Sequence, residues 1–240
     1  MVGQSPEAAD LVPVRRRWLA VELDAPSVMA GVLTAGGLTG RRLILGSASP
    51  ARLATLRSAG VHPEVIVSGV DESTVTTRDP VRLAVELATL KARAVADTVS
   101  DALVIGCDSV LEFAGEIHGK PRDADEATTR WRAMRGSSGI LHTGHCLIDT
   151  ASGTQVARSA DTIVHFAQVT DDEIDAYVAT GEPLMVAGAF TLDGLGGAFV
   201  TGIEGDPHTV VGISLPLLRT MFAELGFSWT DLWKVIKGAD

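Results

Sequence analysis

Residues 43 to 60, LILGSASPARLATLRSAG, decide how this chain folds. The apolar LIL stops at Gly46, and Ser47, Ser49 and Pro50 precede a run that places Leu53 and Leu56 on one helical face. That spacing predicts a buried strand, a tight turn and a helix from Ser49 to Ala59. Ser49 is a good N-cap, because its hydroxyl can accept from an unpaired amide of the first turn. Pro50 suits the first helical position, where its missing N–H would have no partner anyway. A helix start of this kind offers free amides and a partial positive charge, and both attract phosphate. Ser47 and Ser49 add hydroxyls, and Arg52 adds a fork matched to phosphate oxygens. The same residues also fit a plain capped helix with a surface arginine, so the turn alone leaves the chemistry open.

Working outward, strand and helix signals alternate. EVIVSGV reads as a second strand with Val65 and Val67 on one face. Asp79 and Pro80 open a helix through Leu83, Leu87 and Leu90 to about Ala96. ALVIGCDSVLEF is a long β-branched run ending at Ala114-Gly115, and Asp123 to Met134 returns to helix. ILHTGHCLIDT and TQVARSADTIVHFAQV read as antiparallel strands joined at Ala151-Ser152-Gly153. Thr170 caps DDEIDAYVAT, which stops at Gly181; a glycine-rich stretch follows, and SLPLLRTMFAELG supplies a last helix. The order predicts an α/β fold, a mixed twisted sheet with flanking helices, and the central hairpin argues against an all-parallel sheet.

Upstream, residues 1–40 show no sustained period and include the flexible-looking VLTAGGLTG. They are expected to form a poorly ordered leader outside the fold, with Met29 as an alternative start, and residues 41–240 a single catalytic domain. Arg15-Arg16-Arg17 precede WLAV, but Glu22 and Asp24 cut that apolar run short of a signal peptide. No stretch reaches the roughly 18 apolar residues that span a bilayer. Cys107 and Cys146 lie far apart and form no CxxC pair, which suits a reduced, cytoplasmic setting. The 240 residues carry 20 Lys and Arg against 30 Asp and Glu, a formal net charge of -10. That balance argues against binding a nucleic acid polymer, yet leaves room for a small anion held by a few local cations.

Four further positions bear on that anion. Asp71-Glu72 follow a strand, Lys91 lies late in the next helix, and Lys120 sits after a turn in HGKP. Asp108 interrupts the apolar ALVIGCDSVL, where an ionised carboxylate is costly unless paired or metal-bound. Taken singly, Glu72 and Lys91 also fit solvated surface charges. Together, strand-end carboxylates, isolated lysines and a phosphate-binding helix start fit a metal–phosphate site.

In order along the chain, these residues resemble the Maf family of nucleotide pyrophosphatases over residues 41 to 226. The family's S-x-S-P-x-R stands here as Ser47 to Arg52, its D-E as Asp71-Glu72, and its K-A-R-A as Lys91 to Ala94. Its A-D-T-V stands as Cys107 to Val110 and its G-K-P as Gly119-Lys120-Pro121. Y-V-A-T-G-E-P, A-G-A-F and V-V-G match at 177–183, 187–190 and 210–212. The resemblance implies a Maf/ITPase-like fold of two lobes around a central nucleotide-binding cleft, in a homodimer. It implies hydrolysis of a nucleoside triphosphate to the monophosphate and pyrophosphate, with Asp108 as the proton acceptor and Glu72 sharing a divalent metal with it. Mg²⁺ is the expected metal, with Mn²⁺ as the alternative. Lys91, Lys120 and Arg52 would neutralise the leaving charge, while Ser47 and Ser49 hold phosphate oxygens. The rival readings are a non-catalytic nucleotide-binding regulator of cell division and a nucleotidyltransferase.

Three positions that vary among subgroups stand as Ala51, Ser109 and Asp193, and the family's D-K before A-G-A is replaced by Met185-Val186. Small Ala51 leaves room near the base, and Asp193 would accept from exocyclic amines and repel a carbonyl edge. The expected enzyme is therefore outside a strict dTTP/UTP class, either preferring a purine-like, non-standard or modified base or broad in its substrates. His142, His145 and His208 lack zinc spacing, Cys107 reads as a packed thiol, Trp229 and Trp233 as docking the C-terminus or contacting a partner subunit, and LDGLGGAF as turns.

Overall fold

The computed structural model describes residues 19–20 and 40–233. Strand β1 is Leu19–Ala20, β2 Arg42–Leu45, β3 Glu64–Val65, β4 Ala102–Phe113, β5 Glu116–His118, β6 Ser138–Asp149, β7 Thr154–Phe166 and β8 Val200–Glu204. They form one mixed sheet in the order β1-β7-β6-β4-β2-β3, with β5 added to β4 and β8 to β7. Only β3-β2-β4 run parallel; every other pairing is antiparallel. Helices α1 (Pro50–Ser58), α2 (Pro80–Ala96), α3 (Ala124–Met134), α4 (Asp171–Ala179), α5 (Pro207–Val211) and α6 (Leu215–Glu224) pack against it.

Each helix start carries a side chain that accepts from a first-turn amide: Ser49, Asp79, Asp123, Thr170, Asp206 and Ser214. The expected second strand shrinks to Glu64–Val65. It is an edge strand, and Val65 and Val67 are 43% and 60% exposed, so their shared face meets solvent rather than core. Strand β8 and helix α5 lie in the stretch read only as glycine-rich, where no alternation signals them. The leader expectation falls outside the described residues except at Leu19–Ala20, which pair with Ser159 and Arg158 of β7.

Three apolar clusters divide the molecule. Leu45, Leu103, Ile105, Leu147, Leu218 and Phe222 fill one face of the near half of the sheet, beneath α1 and α6. Ile44, Val85, Ala88, Val104 and Cys146 fill the opposite face, beneath α2. Leu111, Trp131, Leu141, Phe166, Tyr177 and Phe190 form the far half with α3 and α4. Trp131 is its centre, meeting Phe166, Tyr177 and Phe199 edge-on at 5.6 to 5.8 Å and donating its indole N–H to the Ala189 carbonyl at 2.7 Å. Strands β4, β6 and β7 run through both halves, and Asp108 to Val110 lie on β4 between them.

Two glycines set how closely α2 lies on the sheet. A Cβ at Gly106 would sit 2.2 Å from the Ala88 carbonyl oxygen, and one at Gly144 would sit 2.1 Å from that of Ala84. Both obstacles are helix backbone, which cannot step aside without moving α2. Gly106→Ala is therefore expected to cost about 3 kcal/mol in denaturant unfolding, in the upper range for overpacking. Gly119→Ala, with nothing within 4 Å of the added methyl, is the control. Equal stability of the two variants would contradict this packing.

Candidate active site

Strand β4 is longer than its neighbours on one edge. Its last pairing with β2 is Ile105 with Leu45, and its pairing with β5 begins at Leu111. On that edge, residues 106–110 have no strand partner among the described residues. The gap lies at the carboxyl ends of parallel β2 and β3, where open α/β sheets bind ligands. Asp108 is in the middle of it.

Helix α2 delivers Lys91 to this edge, because the glycine track lets it lie low on β4. The Lys91 ammonium meets Asp108 Oδ1 at 2.5 Å and Glu72 Oε1 at 2.7 Å. Asp108 and Lys91 side chains are each 13% exposed, whereas Glu72 is 55% exposed. Glu72 rides on a single 3-10 turn, Glu72–Thr74, whose cap is Asp71. Asp71 Oδ1 accepts from the Ser73 amide and hydroxyl at 3.0 and 2.7 Å, which hold its carboxyl below the usual carboxylate range. The D-E pair thus divides its work: Asp71 shapes the turn and Glu72 faces the lysine. Each of Glu72 and Asp108 spends one oxygen on Lys91, and the two carboxylates converge as hard oxygen donors. Among the described residues, no three His, Cys, Asp or Glu side chains gather as a metal cage. Two carboxylates are a donor set that suits a cation such as Mg²⁺, which takes one or two of them and completes its shell with substrate phosphates and water.

Beyond β2, the Ser47–Ser49 turn folds against the same gap. Arg52 Nε donates to the Gly212 carbonyl at 2.8 Å. Its Nη1 donates to Ser47 Oγ at 3.1 Å and the Cys107 carbonyl at 2.9 Å, and its Nη2 to Ser109 Oγ at 3.1 Å. Four of the five N–H groups of the guanidinium are thereby used, and one is left. All four acceptors are neutral, so the positive charge is held in place without being cancelled by a carboxylate. Buried Ser47 receives the Ser49 amide at 3.2 Å as well as Arg52, filling both lone pairs of its oxygen. Its remaining capacity is its own proton. Ser49 Oγ accepts from the Arg52 amide at 3.4 Å, the helix cap expected of it.

Of the residues expected at the site, the structure brings together Glu72, Lys91 and Asp108 in one group and Ser47, Ser49 and Arg52 in another, the latter joined by Ser109, which was expected only to select the base. Other expected site residues stand apart. Lys120 is exposed, on a loop held where the Gly119 carbonyl accepts from Arg130 Nη1 at 2.6 Å and the Gly188 amide at 3.1 Å. Ala51 is half-buried on α1, and Asp193 is exposed on a loop that turns around Glu182. The Glu182 carboxylate accepts from Thr191 Oγ1, the Leu195 and Gly196 amides and the Tyr177 hydroxyl at 2.5 to 3.1 Å. The LDGLGG glycines accordingly make turns around a carboxylate.

The other singled-out side chains settle into structural roles. His142 lies between Asp161 at 2.9 Å and Glu112 at 3.0 Å; burial disfavours its charged form, but the two carboxylates outweigh that and raise its pKa. Burial pushes the Cys107 thiol up to about 12, and its side chain packs in the first apolar cluster, as alternation opposite Asp108 predicts. Trp229 packs on Phe222, and Trp233 donates to the Ala59 carbonyl at 2.9 Å, docking the C-terminal segment on α1.

A polar layer behind Arg52 is not expected from the sequence, where His145 is weighed only as a zinc ligand. His145 is fully buried, with Nδ1 donating to the Thr143 carbonyl at 3.0 Å and Nε2 accepting the Ser214 amide at 2.8 Å. Ser214 Oγ donates to Asp206 at 2.6 Å, and Thr143 Oγ1 donates to the Thr209 carbonyl at 2.9 Å. These bonds fasten segment 206–214, which supplies the Gly212 carbonyl to Arg52. The one available signal was polar residues in an otherwise apolar strand, Thr143 and His145 of β6.

Known proteins align with this chain over most of its length. It is 60% identical over 197 residues to a nucleoside triphosphate pyrophosphatase of Salinispora tropica, covering 80% of this chain and 87% of that protein. The protein of the same name from Streptomyces coelicolor is 60% identical over 195 residues, covering 80% and 95%. That from Rhodococcus erythropolis is 50% identical over 206 residues, covering 80% and 97%. The family model described as Maf-like protein matches residues 42–225, a span that holds both residue groups of the β4 gap, and the chain belongs to the Maf family.

Proposed function

We propose that this protein is a nucleoside triphosphate pyrophosphatase, a hydrolase that cleaves between the α and β phosphates and releases a monophosphate and pyrophosphate. The observation that carries this reading is the pair of groups on the free edge of β4. On one side stands an uncancelled guanidinium with a spare N–H beside a serine whose proton is free; on the other, two carboxylates share one lysine. The first group suits phosphate oxygens, and the second suits water activation and charge balance. Relatives at 50 to 60% identity that are named nucleoside triphosphate pyrophosphatases support it.

In this reading Ser47 donates its hydroxyl proton, and Arg52 its remaining N–H, to non-bridging oxygens of the bound triphosphate. Asp108 takes the proton of the water that attacks the α-phosphorus, a role its place on the rigid central strand suits. Lys91 holds Asp108 and Glu72 in position and has a third N–H for the departing pyrophosphate. Lys120, exposed on its loop, is the further cation for that leaving group on the resemblance alone. A divalent cation on Glu72 and Asp108, Mg²⁺ with Mn²⁺ as the alternative, supplies Lewis-acid neutralisation of phosphate charge when bound. A homodimer, on the resemblance alone, and a cytoplasmic setting, on the two separated cysteines, complete the proposal.

Substrate choice is assigned to Ala51 and Asp193; Ser109, the third position expected to select the base, turns its hydroxyl to Arg52 instead. Small Ala51 admits a larger base, and exposed Asp193 accepts from amino groups. The test is pyrophosphate release with Mg²⁺ over a panel of standard and modified triphosphates. Higher kcat/KM for amino-bearing, purine-like or modified bases than for dTTP and UTP is expected. A preference for dTTP over all purines, with UTP comparable to it, would overturn this assignment.

A further inference from the structure

The hydroxyl of Ser109 does not end at Arg52. Ser109 Oγ also lies 2.9 Å from Thr143 Oγ1, and Thr143 Oγ1 lies 2.9 Å from the Thr209 carbonyl oxygen. A carbonyl can only accept, so Thr143 must spend its single proton there. Thr143 then has only lone pairs to offer Ser109, and Ser109 must donate to it. Ser109, its proton spent, has only lone pairs to offer Arg52 Nη2, which is the contact seen at 3.1 Å. One direction of protons satisfies all three bonds: Arg52 to Ser109, Ser109 to Thr143, Thr143 to Thr209.

We propose that Thr143 is a positioning residue for Arg52, acting through this directed chain of hydroxyls to fix which guanidinium N–H remains for substrate phosphate. The chain joins four separate pieces of the molecule: helix α1, strand β4, strand β6 and the 206–214 segment. Thr143 is fully buried and touches neither the free edge nor the Glu72–Lys91–Asp108 group in any bond of the structure. Its effect must pass through Ser109. With its proton committed to Thr143, Ser109 has no proton left for a base or phosphate, so it contributes to recognition by orienting Arg52.

The inference rests on the phosphate-binding role given to Arg52 above, and its test separates the two. Thr143→Val keeps the shape and removes the hydroxyl, whereas Thr143→Ser keeps the hydroxyl. Thr143→Val is expected to raise KM for the best triphosphate about tenfold with kcat changed less than about threefold, the pattern of lost uniform binding. Thr143→Ser restores the wild-type KM. In a Ser109→Ala background, Thr143→Val changes KM no further, because the chain is already cut. Should Thr143→Val fail to fold, Ser109→Ala breaks the same chain at a half-buried site and must itself raise KM.

Side-chain NMR of the arginine guanidinium groups supplies a readout that needs no turnover. Wild type and Thr143→Ser are expected to show separate Nη protons for Arg52, assigned by their loss in Arg52→Lys, and Thr143→Val to show them averaged. Multiplying KM effects of Thr143→Val and Ser109→Ala, or unchanged Arg52 signals in Thr143→Val, would overturn the inference. Absence of turnover in wild type with these NMR differences intact would instead refute the proposed function and leave the chain standing.

Discussion

Asp108→Asn is expected to lower the rate of pyrophosphate release about 10³-fold, within the range for removing a general base. The substitution is nearly isosteric, and its amide oxygen can still receive the Lys91 ammonium that Asp108 Oδ1 receives at 2.5 Å. What disappears is the ability to take a proton from water and one of the two converging negative charges. The glycine track and the apolar clusters are untouched, so the melting temperature is expected to stay close to wild type. Asp71→Asn is the matched control, since Asp71 caps the turn that presents Glu72 and bonds only to Ser73 and Thr74. Its expected loss is about tenfold or less, through looser placement of Glu72. Comparable losses in the two variants would remove Asp108 from the role of base.

Acid is expected to destabilise the protein from pH 6.5 downward, well before carboxylates protonate, and His145 is the cause. Burial, and then the nearby Arg52 charge, push its pKa down from 6.5 to about 3. In that interval the unfolded chain binds a proton at this histidine and the folded protein does not, so falling pH favours unfolding. The contribution is fully present above 6.5 and is lost progressively down to about 3, amounting to about 4 kcal/mol over the whole span. About 2 kcal/mol of it falls between pH 6.5 and 5, where most carboxylates remain ionised. His142 has the opposite sign, because its pKa is raised between Asp161 and Glu112 and its contribution is lost as pH rises. Denaturant unfolding across this range, for wild type and His145→Gln, isolates the effect as the difference in slope. Parallel slopes for the two proteins would refute it.

How much of this was legible in the sequence depended on distance along the chain. Every helix start but that of α5 was readable, because each cap and its amide lie within three residues, as with Ser49 and Arg52 or Asp79 and Arg82. Strand β4 was readable from its β-branched run, and Asp108 stood out as a charge inside it. The Glu72–Lys91–Asp108 group came from motif order; what brings it together is the glycine track, which looks in sequence like two ordinary strand glycines. The shortness of β3 was hidden because alternation does not distinguish an edge strand from a covered one. The network behind Arg52 was hidden for a different reason: its bonds join residues far apart, 160 positions in the case of Arg52 and Gly212. For Ser109 the family position pointed to substrate choice, and only the hydroxyl geometry shows it turned toward Arg52 and Thr143.

The proposed reaction is defined by which phosphoanhydride bond breaks and where water enters. Hydrolysis of the best triphosphate in ¹⁸O-labelled water with Mg²⁺, followed by mass analysis of both products, answers this directly. The predicted result is equal amounts of monophosphate and pyrophosphate, with the label in the monophosphate alone and release by Asp108→Asn about 10³-fold slower. A diphosphate with inorganic phosphate, or label in the pyrophosphate, would contradict attack at the α-phosphorus; nucleotide binding with no hydrolysis at all would turn the reading toward a nucleotide-sensing protein.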